Sequence, residues 1–378
     1  MIPAAAALLD DAAQLEAADR GDLLRQVASA AAQVRSSLAV VQEADLGELT
    51  GAGRPRAIVV TGVGLAGEVL AAVCGPGCPV QITSAPGYQL PGWVGAHDLV
   101  LAVSGTGTDA ETLATAEQAM RRGCQLAAVG APRSPLAALT EQARALFLPV
   151  RGAGQVQAAQ VPAAQVPAAL WALAVPLIGV AGRLGLCDAS PAAHEAAAVV
   201  LEELAQRCRP DSDSFVNPAK GLALDLAGTL PLVWGTSPLT GVAARRFASQ
   251  LAVRAGYPAL AGALPVARHD QAFALAGPFA PGPAVPWTPE NDGDDTAEPA
   301  APLHLVLLTD EPEPAGLAQS REWCTALASE RRVGVTELPA SGEHPLARLA
   351  SLIQLTDYVA VYLGLALGFD PATAGAVA

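Results

Sequence analysis

The chain has 378 residues, with 22 basic against 36 acidic side chains, a net charge of −14 and a 52% apolar share. That apolar share excludes a wholly disordered chain, and the length exceeds what one hydrophobic core usually supports, so two domains are expected. The negative balance removes the counterion release that drives nucleic-acid binding and disfavours an anionic membrane surface, so neither is an expected partner.

Met1-Ile2-Pro3 and the alanines after it run into Asp10-Asp11 without a basic stretch, which does not read as a secretory signal, and a cytoplasmic protein is expected. Apolar Val27, Ala31, Val34 and Leu38 recur at three- and four-residue steps, so residues 1–50 are predicted to be helices packing on the first domain. Short β-branched runs follow at 57–60, 80–83, 99–103 and 126–129, alternating with amphipathic stretches such as 111–122. Alternation of this kind marks βαβ units on a parallel sheet, and the unbroken apolar character of each run fits strands covered on both faces. Residues 161–186 and 191–207 read as alanine-rich helices; the apolar stretch 168–182 is too short for a bilayer and carries Pro176.

Turn-forming residues from Arg209 to Ser214 place the boundary between a first domain, 51–208, and a second, 209–378. The second repeats the α/β plan: strand 231–234, helix 241–253, strand 303–308, helix 317–327 and strand 333–338. Residues 277–302, dense in Pro, Gly and acidic side chains, are predicted to be a mobile surface insertion. Leu346, Leu349 and Ile353 form the core face of a last helix. The six cysteines lack metal-ligand spacing, so reduced thiols and no metal are expected. His97, His194, His304 and His344 have no partner nearby in sequence and read as structural or solvated.

Two segments carry candidate chemistry. Gly62-Val63-Gly64-Leu65-Ala66-Gly67 follows the first strand and opens a helix, as a dinucleotide fingerprint does. The next strand ends in Gln81, Thr83 and Ser84 with no carboxylate for a ribose hydroxyl, so NAD and FAD are not expected and no cofactor is assigned. The glycines either allow tight strand-to-helix packing or approach another ligand. After the third strand comes Ser104-Gly105-Thr106-Gly107-Thr108-Asp109-Ala110-Glu111-Thr112. One helix cap needs one hydroxyl. Three hydroxyls with two glycines at a helix start suit a phosphate monoester, because the free amides and the dipole both favour an anion. Gly62, Gly64, Ser104, Gly105, Thr106, Thr108 and Glu111 are therefore candidate ligand contacts. Lys220 joins them: it is the one lysine in a chain otherwise using arginine, as if a compact ammonium were required at a tight site.

The glycine and hydroxyl loops are accompanied, in order, by Leu90-Pro91-Gly92-Trp93-Val94, Asn217-Pro218-Ala219-Lys220, Arg246, Gln250-Leu251, Leu264-Pro265 with His269, Asp357-Tyr358-Val359, Tyr362-Leu363 and Gly368 with Asp370-Pro371. This set resembles the SIS (sugar isomerase) family, most closely its bifunctional phosphoglucose/phosphomannose isomerase branch. The resemblance implies two SIS-type α/β domains, each a Rossmann-like, flavodoxin-like parallel sheet with flanking helices. It also implies a homodimer that binds a sugar phosphate at the carboxyl ends of the first domain's strands and the domain cleft. The reaction it implies is interconversion of glucose or mannose 6-phosphate with fructose 6-phosphate, in which a carboxylate shuttles a proton through an enediol and an imidazole opens the ring.

Carried over position by position, that imidazole is His269, offered across the dimer interface. The base position, however, is Val253, followed by Arg254-Ala255-Gly256, and a valine moves no proton; losing a positioned base costs about 10²- to 10⁴-fold. The family's phosphate-loop threonine becomes Asp109, a further loop hydroxyl becomes Ala66, and an arginine after proline becomes Ala168. Asp270 and Glu111 are the carboxylates left as replacement bases. The expectation is a sugar-phosphate-binding protein whose isomerase activity is weak or lost; the alternative is a non-catalytic regulatory or partner-binding protein.

Overall fold

The structure, a computed structural model, describes residues 7–51, 53–62, 64–151, 169–281 and 301–371. They form two compact units. One comprises Arg25–Glu202 with Glu343–Ala347; the other takes the chain up to Leu24, Glu203–Gly342 and the residues from Arg348 onward. The helical N-terminal segment is thus divided at Leu24, whereas its periodicity assigns all fifty residues to the first domain. Contacts decide this: Asp10 accepts hydrogen bonds from the Ser214 amide at 2.7 Å and hydroxyl at 2.9 Å, and the Leu9 carbonyl accepts one from Lys220. Helix Ala30–Glu43 stays with the first sheet's unit, where Val41 lies so close to Gly179 of helix Ala169–Arg183 that a Cβ there would meet Val41 Cγ1 at 2.5 Å.

The first sheet contains β1 Ala57–Thr61, β2 Gln81–Ser84, β3 Leu99–Ser104, β4 Gln125–Gly130 and β5 Leu146–Pro149, all parallel, in the order β2-β1-β3-β4-β5. β1 and β3 are buried along their whole length, which is why they read as continuous apolar runs. Val59, Val100, Ala102 and Ala128 pack with Ala116, Ala119 and Leu136 from the helices Ala110–Arg121 and Pro135–Gln142. At the amino edge of the sheet, Asp98 receives Arg56 Nε at 2.9 Å and Nη2 at 2.6 Å and the Gly95 amide at 2.8 Å. The same stretch is tied down by Arg122, which donates to the carbonyls of Leu90, Pro91 and Val94. The residues around Trp93 singled out in the sequence are therefore a strap beneath the sheet.

The second sheet holds β6 Leu230–Gly235, β7 Leu260–Ala263, β8 Leu303–Thr309 and β9 Gly334–Pro339, again parallel, in the order β7-β6-β8-β9. Its core joins Leu232, Trp234, Leu305 and Leu307 to Leu275, Cys324 and Val333. Helix Pro238–Ala255 starts in a capping box of Ser237 with Thr240 and ends at Gly256 in the left-handed conformation, φ +58°. Helix Pro345–Ala366 is long and apolar enough to cross a membrane by length and composition, but its side chains are buried inside the fold. Arg246 binds Asp357 through Nε at 3.0 Å and Nη2 at 2.7 Å, a buried pair linking these two helices.

β5 and β7 are additions to the predicted strands. Both are four-residue edge strands, and Leu-Ala-Gly-Ala has little intrinsic strand preference. Gly262 is held there by contact, since a Cβ would lie 2.7 Å from Gln271 Oε1, which itself accepts from Trp234 Nε1 at 2.7 Å. Of the helix predicted over 161–186, Ala169–Arg183 is present and 161–168 lie outside the described residues. Likewise 282–300 of the predicted insertion lie outside them. Its described ends are pinned, with the Leu230 amide donating to Pro302 and the Leu303 amide to Phe279.

Candidate functional site

In an open parallel sheet ligands sit beyond the carboxyl ends of strands, where neighbouring connections leave in opposite directions. In the order β2-β1-β3-β4-β5 that point lies between β1 and β3. Gly62 follows β1 and Ser104 ends β3, so the fold brings the two candidate loops together. Gly62 has φ +127°, and a Cβ on it would stand 2.0 Å from the Val103 carbonyl oxygen; no other residue fits. The first alternative for these glycines, close packing, therefore holds at Gly62. Gly64, φ +105°, is exposed, and Ala66 is buried in the first turn of helix Ala66–Cys74.

The hydroxyl loop is organised from within. Ser104, buried, donates its hydroxyl to the carboxylate of Asp109 and accepts from the Gly107 amide at 2.7 Å. Thr106 and Thr108 pair their hydroxyls at 2.8 Å, and Thr108 is exposed. Gly107, φ +72°, donates its amide inward while its carbonyl accepts from the Leu136 amide at 3.1 Å. Gly105 is buried between the two, and Glu111 is half-buried in the first turn of helix Ala110–Arg121. Asp109 is the N-cap residue of that helix by position, yet its side chain makes no cap bond.

A further buried hydroxyl, with little signal in the sequence, belongs to Thr61. It ends β1, is 1% exposed, and its Oγ1 has no hydrogen-bond partner among the described residues. It shares a sheet face with Val59, two residues earlier, which packs toward helix Ala110–Arg121. Thr61 is paired in register with Ala102 of β3, two residues before Ser104. The only sequence signal was one polar residue closing an apolar strand.

Lys220 is placed elsewhere. It lies on helix Pro218–Leu226 in the second sheet's unit, 1% exposed, and Nζ donates to the carbonyls of Leu9 at 2.5 Å, Pro210 at 2.7 Å and Ser212 at 2.7 Å. The face of Tyr362 is 5.6 Å away. Burial pulls this ammonium below its ordinary pKa, and Asp10, Asp213 and Asp211 pull it back. Three acceptors use all three donors. The assignment of Lys220 to a phosphate is thereby corrected to a staple of backbone carbonyls.

His269 closes the short helix Val266–His269 and is exposed, as is Asp270, whose carboxylate accepts from the Gln271 amide at 2.6 Å. Val253 is half-buried on helix Pro238–Ala255, and no carboxylate takes its place along that turn, where Ala252 and Arg254 flank it. Arg254 is buried, which lowers its guanidinium to about 10, against the pull of Asp357. Ala168 lies outside the described residues.

Residues 215–378 match the family described as the bacterial phospho-glucose isomerase C-terminal SIS domain. The chain is 26% identical over 317 residues to a bifunctional phosphoglucose/phosphomannose isomerase of Caldicellulosiruptor bescii, covering 83% of this chain and 85% of that protein. The second sheet's part of the chain is thus similar to that SIS domain, and the chain as a whole is similar to a phosphoglucose/phosphomannose isomerase. Its fold recurs in solved structures. A hypothetical protein from Thermus thermophilus aligns with a TM-score of 0.67 at 14% identity, over 96% of this chain and 90% of that one. The tagatose-6-phosphate ketose/aldose isomerase of Escherichia coli aligns at 0.59 and 14%, over 96% of each chain.

Proposed function

We propose that this SIS chain binds a hexose 6-phosphate at the carboxyl edge of its first sheet and that its aldose–ketose isomerase chemistry is weak or lost. Similarity to a phosphoglucose/phosphomannose isomerase supports the ligand class, and the juxtaposed β1 and β3 loops support the location. The reading on activity rests on one observation: the position where the resemblance puts the base carries Val253. An aldose–ketose shift moves a proton between adjacent carbons, and it needs a group that accepts and returns that proton. A hydrocarbon cannot do so. His269 would open the sugar ring in a homodimer, but ring opening alone does not interconvert the sugars.

The test is a coupled assay for fructose 6-phosphate with glucose 6-phosphate and mannose 6-phosphate as substrates. Expected turnover of the wild type is at background, and Val253→Glu with Ala66→Ser should raise it. Robust wild-type turnover that is abolished by Asp270→Asn or Glu111→Gln would overturn the reading and name the base. The partner-binding alternative draws on one observation, the exposure of Val266, Phe273 and Phe279 around the second sheet. It becomes the leading account if no hexose phosphate binds at all.

A further inference from the structure

An Asp at the N-cap ordinarily turns its carboxylate to the first-turn amides, and giving that up costs about 1 kcal/mol. Asp109 does give it up. Its backbone accepts the first helical bond, from the Leu113 amide at 3.0 Å, while its side chain takes the buried Ser104 hydroxyl instead. Ser104 in turn holds the Gly107 amide, so one carboxylate organises the donors that an incoming anion would use. At the end of the adjacent strand β1, Thr61 keeps a buried hydroxyl without a partner among the described residues.

We propose that Asp109 is a built-in competitor for the anion position of this loop: a sugar phosphate docks only by displacing the Asp109 carboxylate from Ser104. The inference rests on the reading that hexose phosphates dock here, and it adds what limits them. A hydroxyl has one proton to donate, so a phosphate gains the Ser104 hydroxyl only when the Asp109 carboxylate gives it up. Asp109 thereby sets specificity. It weakens binding of the phosphorylated sugar and leaves binding of the same sugar without phosphate untouched. The position of Asp109 at a helix start makes the exchange feasible, because the displaced carboxylate can fall back on the first-turn amides it does not use now.

The experiment is calorimetric titration of the full-length chain with fructose 6-phosphate and, as control, fructose. Asp109→Asn should bind fructose 6-phosphate at least about tenfold more tightly than the wild type, about 1.4 kcal/mol, with fructose unaffected. The gain should vanish when Ser104→Ala is added, because the freed hydroxyl is what the phosphate acquires. Asp109→Thr is the second variant should Asp109→Asn fold poorly. Equal affinity of the wild type and both variants overturns the competitor and leaves the sugar-phosphate reading standing. A gain that survives in the Ser104→Ala background overturns it too, assigning the effect to repulsion at a distance. Binding by the variants alone upholds the competitor and removes hexose phosphates as ligands of the wild type. No binding by any of the proteins overturns both.

Discussion

Replacing Lys220 by Met removes a buried ammonium and keeps most of its stem. The Leu9 carbonyl that it holds at 2.5 Å is buried and would lose its donor, a loss of about 2 kcal/mol for an orphaned acceptor. The Pro210 and Ser212 carbonyls are part-buried, and water can partly replace Nζ there, so each loses about 0.5–1 kcal/mol. Together the second sheet's unit should be destabilised by about 3–4 kcal/mol. Lys220→Arg should not rescue it fully, because a planar fork does not match three acceptors arranged around a compact point charge. The assay is urea unfolding followed by fluorescence of Trp234, which is buried in the affected unit, compared in a variant lacking the other tryptophans. Hexose phosphate affinity should be unchanged under conditions where the variant is folded. A midpoint equal to that of the wild type, or lost ligand binding with stability intact, would refute the staple and return Lys220 to the ligand.

Gly62→Ala should destabilise the first sheet's unit by at least about 3 kcal/mol, since both φ +127° and a Cβ 2.0 Å from the Val103 oxygen oppose it; thermal unfolding checks this. Asp98 is held below the ordinary carboxylate range, first by its hydrogen bonds from Arg56, so its contribution is present at neutral pH and lost as pH falls through that lowered value. The stability difference between wild type and Asp98→Asn should therefore shrink on acidification below pH 3.8; a constant difference would contradict the pairing. His194 and His304 are both held below their ordinary value of 6.5 by burial. On acidification the unfolded imidazoles take up protons while the folded ones stay neutral, so stability should decline below about pH 6.5. His304→Gln, which keeps a polar partner for Thr336, should flatten that decline for the second unit in a pH series of unfolding midpoints.

The α/β alternation was legible because strands buried on both faces must be apolar along their whole length, as β1 and β3 are. The same holds for the glycine and hydroxyl loops, since a turn at φ +127° or a helix start with several hydroxyls leaves a mark in residue types. That the position where the resemblance puts a base carries a hydrocarbon was equally a matter of sequence: Val253 is a valine in any conformation. Edge strands β5 and β7 left no such mark, because four residues beside a sheet are ordered by the strand they pair with and carry no strong pattern of their own. That the described residues up to Leu24 join the second sheet's unit was decided by the bonds of Asp10 and Leu9 to Ser214 and Lys220, more than 200 positions away. The sequence by itself determined that this chain would build two parallel sheets of the SIS kind and would lack a carboxylate at Val253, since burial pattern and side-chain chemistry are properties of residues. Only the tertiary structure decided what Lys220 and Asp109 do, because a charged group takes its role from the partners that folding brings within 3 Å: three carbonyls for the lysine, and the Ser104 hydroxyl for the aspartate.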